Sequence, residues 1–495
     1  MNYVITSTLP KEFGGRTKSL LSRTKKMNGE IEIPFAIITT NYHPNYNMVY
    51  NHYYKMEYVS NDVKLLNIYD FLANRSYEIK QDNHSIQEEG LQLYEVEKDK
   101  VYRYFDNGEY VLYKNFTHPN NGLKFIDEMD PKTRMRKTRK EYNYNGLCHK
   151  KTIYKQGTTY RLEEIFYDEN GRAYLNKTFN GSSGEKLVRI YHFNKNEILE
   201  FSTEKDLIKY SFELMIEENS TVICDARLLD RPLIEMNVKA KKIFILHSSH
   251  LTGKESDELK NSYKYLIEQY DNLDYLVTLT EQQKEDLIKI IKDDKKIRVI
   301  PHSTQLKPVV DSARENKLVY VGRLAKEKQI DHIIEAYSIA REELAEFRLY
   351  IYGEGEDRKE LEQLVIDYNL QNKIIFKGIT DDPDAVFKTA KASLLTSKFE
   401  GFGLVIMESL NNGCPVVAYD LKYGPRDLID QKENGIIIEQ NNIKELAKAM
   451  VRITNHKFKQ VSLSNKYSDE QFVKNWQAIF MNQKSKGFLG KLFKN

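Results

Sequence analysis

Lys398-Phe399-Glu400-Gly401-Phe402-Gly403-Leu404-Val405-Ile406-Met407-Glu408 sets two carboxylates eight positions apart around a pair of glycines, where an apolar strand meets a helix. Just upstream, Ala392-Ser393-Leu394-Leu395-Thr396-Ser397 reads as a short buried parallel strand. Glu400 is therefore expected at that strand's carboxyl end, and Glu408 about two helical turns later. In open α/β sheets this edge is where ligands bind. The backbone N–H groups of Gly401, Phe402, Gly403 and Leu404 would open the helix, and a helix N-terminus carries about half a positive charge that suits a diphosphate. Glycine there lets a phosphate come close.

Three further stretches have the same strand–glycine–helix form. Leu318-Val319-Tyr320-Val321-Gly322-Arg323 runs on to Lys328 before an amphipathic helix. Leu349-Tyr350-Ile351-Tyr352-Gly353-Glu354-Gly355 is a strand ending in Gly-x-Gly, and Lys373-Ile374-Ile375-Phe376-Lys377-Gly378-Ile379 is a strand that reaches a glycine. Taken singly, each has a plain structural reading: a tight βα turn, a charged first turn of a surface helix, or two glutamates on a helix by chance. Together, their order and spacing describe one Rossmann-like half.

The glutamate pair resembles the E-x7-E signature of family 4 retaining glycosyltransferases of the GT-B fold, and Gly322-Arg323 with Lys328 resembles their GR-x4-K element. The resemblance implies that Glu400 contacts the transferred sugar and Glu408 the nucleotide ribose. It also implies that Arg323 and Lys328 clamp the departing diphosphate, where fixed cations lower the barrier. Lys377 and Gly378 fall where the family binds its base, and Gly322, Gly353, Gly401, Phe402, Gly403 and Leu404 complete the expected donor contacts. No metal and no bound cofactor is expected, the UDP-sugar being a substrate.

A GT-B enzyme needs a second Rossmann-like half, and Asn2-Tyr3-Val4-Ile5-Thr6-Ser7 followed by Phe13-Gly14-Gly15-Arg16-Thr17-Lys18 begins one. Gly15, with Arg16, is assigned to the donor phosphates by the resemblance. Lys242-Ile243-Phe244-Ile245-Leu246-His247-Ser248-Ser249-His250 ends an apolar strand with two histidines, and the resemblance implies that His250 first and His247 second lie beside the donor sugar. Asp225 and Arg227 leave another strand and could face the acceptor.

Composition fits this architecture. The 495 residues leave room for two or three domains, and 40% apolar residues suffice for proper cores. No stretch approaches the roughly 18 apolar residues of a spanning helix. A strand at residue 2 leaves no room for a leader, so a cytoplasmic protein is expected. Cys148, Cys224 and Cys414 are too scattered for a zinc motif or a disulfide framework. A net charge of +3 gives no global pull toward nucleic acid.

Local charge says more. Lys132, Arg134, Arg136, Lys137, Arg139 and Lys140, joined by Lys150, Lys151 and Lys155, read either as a solvated strand face or as a track for a polyanion. The tail from Lys484 to Lys494 mixes lysines with Phe488, Leu489, Leu492 and Phe493, a composition that suits either domain packing or an anionic membrane surface. Between the two parts of the first Rossmann-like half, residues 76–204, which hold the basic run, alternate and are rich in tyrosine. Asn107-Gly108, Asn145-Gly146 and Asn170-Gly171 are hairpin signals there.

The expected fold is α/β: a GT-B fold of two Rossmann-like domains with an antiparallel β domain inserted in the N-terminal half. The domains are 1–75 with 205–305 for the acceptor, 76–204 for the insert, 306–470 for the nucleotide sugar, and 471–495 for a C-terminal helix and basic tail. The insert and Tyr423-Gly424-Pro425-Arg426-Asp427 resemble the bacterial glycosyltransferases that decorate wall teichoic acid, and their adhesin-glycosylating relatives. This implies transfer of α-glucose from UDP-glucose to poly(glycerol-phosphate), an anionic polyol-phosphate polymer. UDP-N-acetylglucosamine transfer to poly(ribitol-phosphate) or to Ser/Thr of an adhesin stays open. So do a non-catalytic GT-B-like partner subunit and an epimerase. The loop Leu251-Thr252-Gly253 lacks a second adjacent histidine that some relatives have. The insert suits self-association into a homo-oligomer or acceptor binding, and peripheral membrane contact through the tail stays open.

Overall fold

The structure, a computed structural model, describes residues 1–11, 13–30, 34–75, 84–118, 121–195, 197–253, 256, 258–308, 314–456, 458 and 461–481. The basic tail after residue 481 lies outside them. The chain divides into two compact units, Met1–Phe13 with Ile33–Lys242, and Gly14–Glu32 with Ile243–Asn495.

The first unit holds four parallel strands in the order Thr221–Cys224, Asn2–Thr6, Phe35–Thr39, Lys64–Asn67. Three of them are buried at every position, which is why they read as continuous apolar runs rather than alternating ones. Between the last two in sequence stands a ten-stranded antiparallel sheet, from Gln92–Glu97 to Glu197–Phe201, whose strands lie side by side in strict chain order. It is a pure meander, as the alternating tyrosine-rich sequence requires. Asn107 and Gly108, with φ of 46° and 86°, make the two-residue mirror-image turn expected between Val101–Asp106 and Glu109–His118. The other two Asn-Gly pairs lie in longer turns in which only the glycine has positive φ. There Asn143 and Asp168 each accept two backbone N–H bonds through their side chains.

The meander docks on the helix Ile68–Leu72 by a mixed polar and aromatic seam. Phe166 meets Tyr42 edge-on at 4.8 Å, and Lys177 donates to Tyr69 at 2.9 Å and pairs with Glu204 at 2.5 Å. The Tyr42 hydroxyl lies 2.6 Å from Nδ1 of His149. Much of the basic run is neutralised within the sheet. Arg139 forks onto Asp127 with two bonds of 2.7 Å, Arg136 reaches the same carboxylate at 3.0 Å, and Lys150 pairs with Glu141 at 2.6 Å. Register explains this, because Asp127 sits opposite Arg139 and Glu141 opposite Lys150. The polyanion track is thus narrower than the sequence suggests, with Lys132, Arg134, Lys137 and Lys155 exposed.

The second unit contains the parallel strands Tyr275–Thr278 and Ile297–Val299 beside the end of Lys241–Ile245, and a separate six-stranded parallel sheet. That sheet runs Ile374–Gly378, Arg348–Tyr352, Lys317–Val321, Ala392–Leu395, Val416–Tyr419, Gly435–Ile438. Ala392–Leu395 is buried throughout, and burying a leucine such as Leu394 contributes about 1.5–3 kcal/mol. The helix Gly15–Asn28 belongs to this unit, although it follows the first strand of the other. It is held by Lys26 on Asp469 at 2.6 Å and by Arg23 over the buried Trp476 ring at 5.5 Å. Among the described residues no helix is long and apolar enough to cross a membrane.

Candidate functional site

Numbered by sequence, the six strands lie in the order 3-2-1-4-5-6. The order reverses between the first, Lys317–Val321, and the fourth, Ala392–Leu395, and beyond the carboxyl ends at such a switch point ligands bind in open α/β sheets. Gly322-Arg323 leaves one strand there and Thr396–Glu400 the other.

These two exits are stitched together. The Thr396 hydroxyl donates to the carbonyls of Lys328 and Gln329, both at 2.9 Å, and the amide of Lys398 donates to the Glu327 carbonyl at 2.7 Å. The consequence is that Lys328 lies beside Glu400, its Nζ donating to Oε1 at 2.6 Å while the Ser397 hydroxyl donates to the same oxygen at 2.8 Å. Both charged side chains are about one-fifth exposed, 21% and 19%, so the pair is accessible to a ligand yet partly desolvated. Arg323 is brought to the same edge but stands apart, 60% exposed and paired with Glu327 one turn on. Its carbonyl accepts from Tyr320 at 3.1 Å; burial, then the nearby Glu400 charge, holds that phenol protonated.

The glycines have distinct reasons. A Cβ on Gly353 would stand 1.8 Å from the Gly322 carbonyl oxygen, and one on Gly355 2.0 Å from that of Leu324. The Gly-x-Gly turn therefore exists to let two backbones touch, fastened by Gly322 N to Tyr352 O and Leu324 N to Glu354 O, each 3.0 Å. Gly378 has φ of 73° and its carbonyl accepts from the Gly353 amide at 2.8 Å, while the Lys377 ammonium lies over the Tyr350 ring at 5.4 Å.

The helix beyond Glu400 begins only at Leu404, with Gly403 capping it at φ 89°. Glu408 thus sits in its second turn, closer to the N-terminus than the sequence suggests. Lys18 reaches it, Nζ to Oε1, at 2.9 Å, and the Gly15 Cα lies so close to Leu404 that a Cβ would meet Cδ1 at 3.0 Å. Gly15 and the exposed Arg16 thus stand beside the helix that carries Glu408, and the Lys18 contact is one that sequence reasoning missed although the residue belongs to the same glycine loop. The Phe402 side chain is buried, edge-on to His302 at 5.1 Å and to Tyr467 at 5.8 Å, and His302 in turn meets the Ser19 hydroxyl at 2.9 Å.

The two histidines differ in setting. His250, placed first by sequence, is fully buried, stacked 5.9 Å from Tyr423, and neither ring nitrogen has a hydrogen-bond partner among the described residues. Burial lowers its pKa to about 4, with Asp286 opposing the shift and Lys422 and Lys260 adding to it. The imidazole is thus buried and held neutral. His247 is half-buried and backs directly onto the glutamate loop: a Cβ on Gly401 would lie 1.9 Å from its carbonyl oxygen. Asp225 and Arg227 belong to the other unit, where Asp225 is buried and Arg227 bonds the Cys224 carbonyl at 3.2 Å.

The arrangement offers a carboxylate and an ammonium at a sheet switch point, a helix N-terminus and a second carboxylate–ammonium pair in that helix. Such a set suits a nucleotide diphosphate carrying a polyhydroxylated group. Comparison with known proteins agrees. The model of the family Glycosyl transferases group 1 matches residues 302–470. Poly(glycerol-phosphate) alpha-glucosyltransferase of Bacillus subtilis (strain 168) is 30% identical over 517 aligned residues, covering 97% of this chain and 75% of that protein. Poly(ribitol-phosphate) alpha-N-acetylglucosaminyltransferase of Staphylococcus aureus (strain COL) is 26% identical over 513, covering 97% and 99%. Among solved structures, the crystal structure of TarM has a TM-score of 0.83 at 25% identity, over 97% of this chain and 98% of that one.

Proposed function

We propose that this chain, which belongs to the group 1 glycosyl transferases, moves α-glucose from UDP-glucose onto glycerol-phosphate units of a wall teichoic acid, with retention at the anomeric carbon. The observation that carries the chemistry is the Lys328–Glu400 pair at the sheet switch point, with Glu408 in the helix that follows. The choice of substrates rests on the 30% identical relative, whose printed name is that activity.

In this reading Glu400 accepts hydroxyl hydrogens of the transferred sugar and Glu408 those of the ribose. Arg323 and Lys328 meet the charge that builds on the diphosphate as it leaves. The acceptor hydroxyl oxygen bonds to the anomeric carbon on the face from which the diphosphate departs, the bond from that carbon to the diphosphate oxygen breaks, and the hydroxyl proton passes to the departing oxygen. No separate protein base is needed, so His250 can remain sealed. The acceptor polymer is anionic, and the exposed Lys132, Arg134, Lys137 and Lys155 give it a basic margin to follow. Work in the cytoplasm and self-association through the open edges of the ten-stranded sheet belong to the same reading.

A second pair of substrates, UDP-N-acetylglucosamine and poly(ribitol-phosphate), is favoured by the S. aureus relative, which matches over 99% of its own length. Nucleotide release separates the two. Each of UDP-glucose and UDP-N-acetylglucosamine is incubated with poly(glycerol-phosphate), poly(ribitol-phosphate) or no acceptor. Release of UDP from UDP-glucose with the glycerol polymer alone is the expected result; release only with the other pair moves the substrates, and no release with any pair sinks both.

A further inference from the structure

We propose that Asp286 is a positioning residue for Glu400, acting through Lys422 and Tyr423; the inference rests on the sugar-binding role given to Glu400 above. Asp286 stands on the helix Glu281–Ile291 and its side chain is only 4% exposed. Its Oδ2 accepts from Lys422 Nζ at 2.8 Å and from the Tyr423 hydroxyl at 2.9 Å, and its Oδ1 from Lys289 Nζ at 2.9 Å. The two residues that Asp286 holds clasp Glu400 by its main chain. The Tyr423 amide donates to the Glu400 carbonyl at 3.0 Å, and the Glu400 amide donates to the Lys422 carbonyl at 3.4 Å.

One buried carboxylate thus fixes both side chains of a dipeptide whose shared peptide group bonds the amide and the carbonyl of Glu400. The same loop is fastened to the same helix a second time, since Asp427 Oδ1 accepts from the Glu281 amide at 3.0 Å. It is also pressed against the residues after Glu400, for a Cβ on Gly424 would lie 1.8 Å from the Phe402 carbonyl oxygen. His250, stacked on Tyr423 with ring planes 5° apart, walls the phenol off from water and gives this buried imidazole a reason that donor contact does not. Lys328 and Ser397 hold the tip of the Glu400 side chain; the Asp286 clasp holds its root. A group that must meet a sugar within about half an ångström requires both. Neutralising Asp286 also leaves the half-buried Lys422 ammonium without its partner, so the clasp has no stable half-made state.

The test combines hydrogen exchange with kinetics in the full chain. In Asp286→Asn, peptides covering 398–403 and 420–424 are expected to exchange about tenfold faster or more, while the helix Leu404–Asn411 keeps its protection. Turnover with UDP-glucose should fall by a similar factor while UDP alone, which lacks the sugar, binds as before. In Asp286→Asn combined with Glu400→Gln, turnover should be no lower than in Glu400→Gln alone, because the first substitution works through the second residue. Tyr423→Phe removes one of the bonds without exposing a charge, and should show the same pattern more weakly if Asp286→Asn fails to fold. Unchanged exchange at 398–403, additive losses in the double variant, or UDP binding that falls in step with turnover would each overturn the proposal. Full turnover by Glu400→Gln would instead remove the role given to Glu400, and the exchange result would still report whether the clasp exists.

Discussion

The Lys328 ammonium donates to Oε1 of Glu400 at 2.6 Å, so this cation and this carboxylate neutralise each other at the sheet switch point. In the function proposed above, Lys328 meets the departing diphosphate and Glu400 the sugar, so the two side chains stand on either side of the bond that breaks.

Lys328→Ala should accordingly lower kcat by about 100-fold or more, the usual size for loss of one fixed donor at a developing oxyanion. Arg323→Ala, which removes an exposed cation held only by Glu327, should cost less. Initial rates of UDP release at saturating donor check both, and equal losses would contradict the unequal settings of the two side chains.

Glu408 and Lys18 form the second pair, and Lys18 is 65% exposed. An exposed ion pair contributes at most about 1 kcal/mol to stability. Glu408→Ala should therefore leave the melting temperature nearly unchanged while weakening UDP binding about tenfold or more, the worth of hydrogen bonds to a charged acceptor. Titration calorimetry with UDP, beside a melting curve, distinguishes a binding role from a folding one.

Glycine substitutions should sort by contact rather than by motif. Gly401→Ala sets a methyl 1.9 Å from the His247 carbonyl oxygen, and overpacking of this kind typically costs about 1–3 kcal/mol. Gly29→Ala meets nothing within 4 Å and sits at φ −78°, so it should be neutral or stabilising by up to about 1 kcal/mol. Denaturant midpoints of the two variants give the comparison.

Acid should weaken the fold through its buried histidines, while Asp230, raised by burial to about 6, works in the opposite sense. His250 has its pKa lowered to about 4 and His149 to about 3, both chiefly by burial. The unfolded chain takes up these protons near pH 6.5 and the folded chain does not, so stability is full above that pH and falls as pH drops from about 6.5 towards 4. For His250 the loss reaches about 3 kcal/mol at most. His250 faces Asp286, Lys422, Lys260, Tyr263 and Tyr423, and His250→Phe keeps an aromatic ring against Tyr423 while removing the titration. Denaturant midpoints across this window should lose part of their slope in that variant; an unchanged slope would show that other groups carry it.

Much of this was legible because the signals are local. Strand, glycine and helix follow one another within a dozen residues at Gly322, Gly353 and Glu400, and period-two tyrosines with Asn-Gly turns announce the meander at Asn107-Gly108. What escaped depends on distance and register. Lys18 and Glu408 are 390 positions apart, and nothing in either neighbourhood names the other. The neutralised Arg139 could not be told from a free one without knowing that Asp127 lies opposite. His250 was placed beside the donor sugar by resemblance, and its complete burial against Tyr423 could not be read from the strand that precedes it.

The ten-stranded meander has one further property. Among the described residues every strand bonds only to its neighbours in sequence, with no pairing between first and last. Its length is thus an open parameter: a hairpin can be gained or lost as a pair of strands while the pairings on either side keep their register. A single strand cannot, because its removal reverses the direction of all that follows. Divergence in this part of the chain should therefore come in even steps.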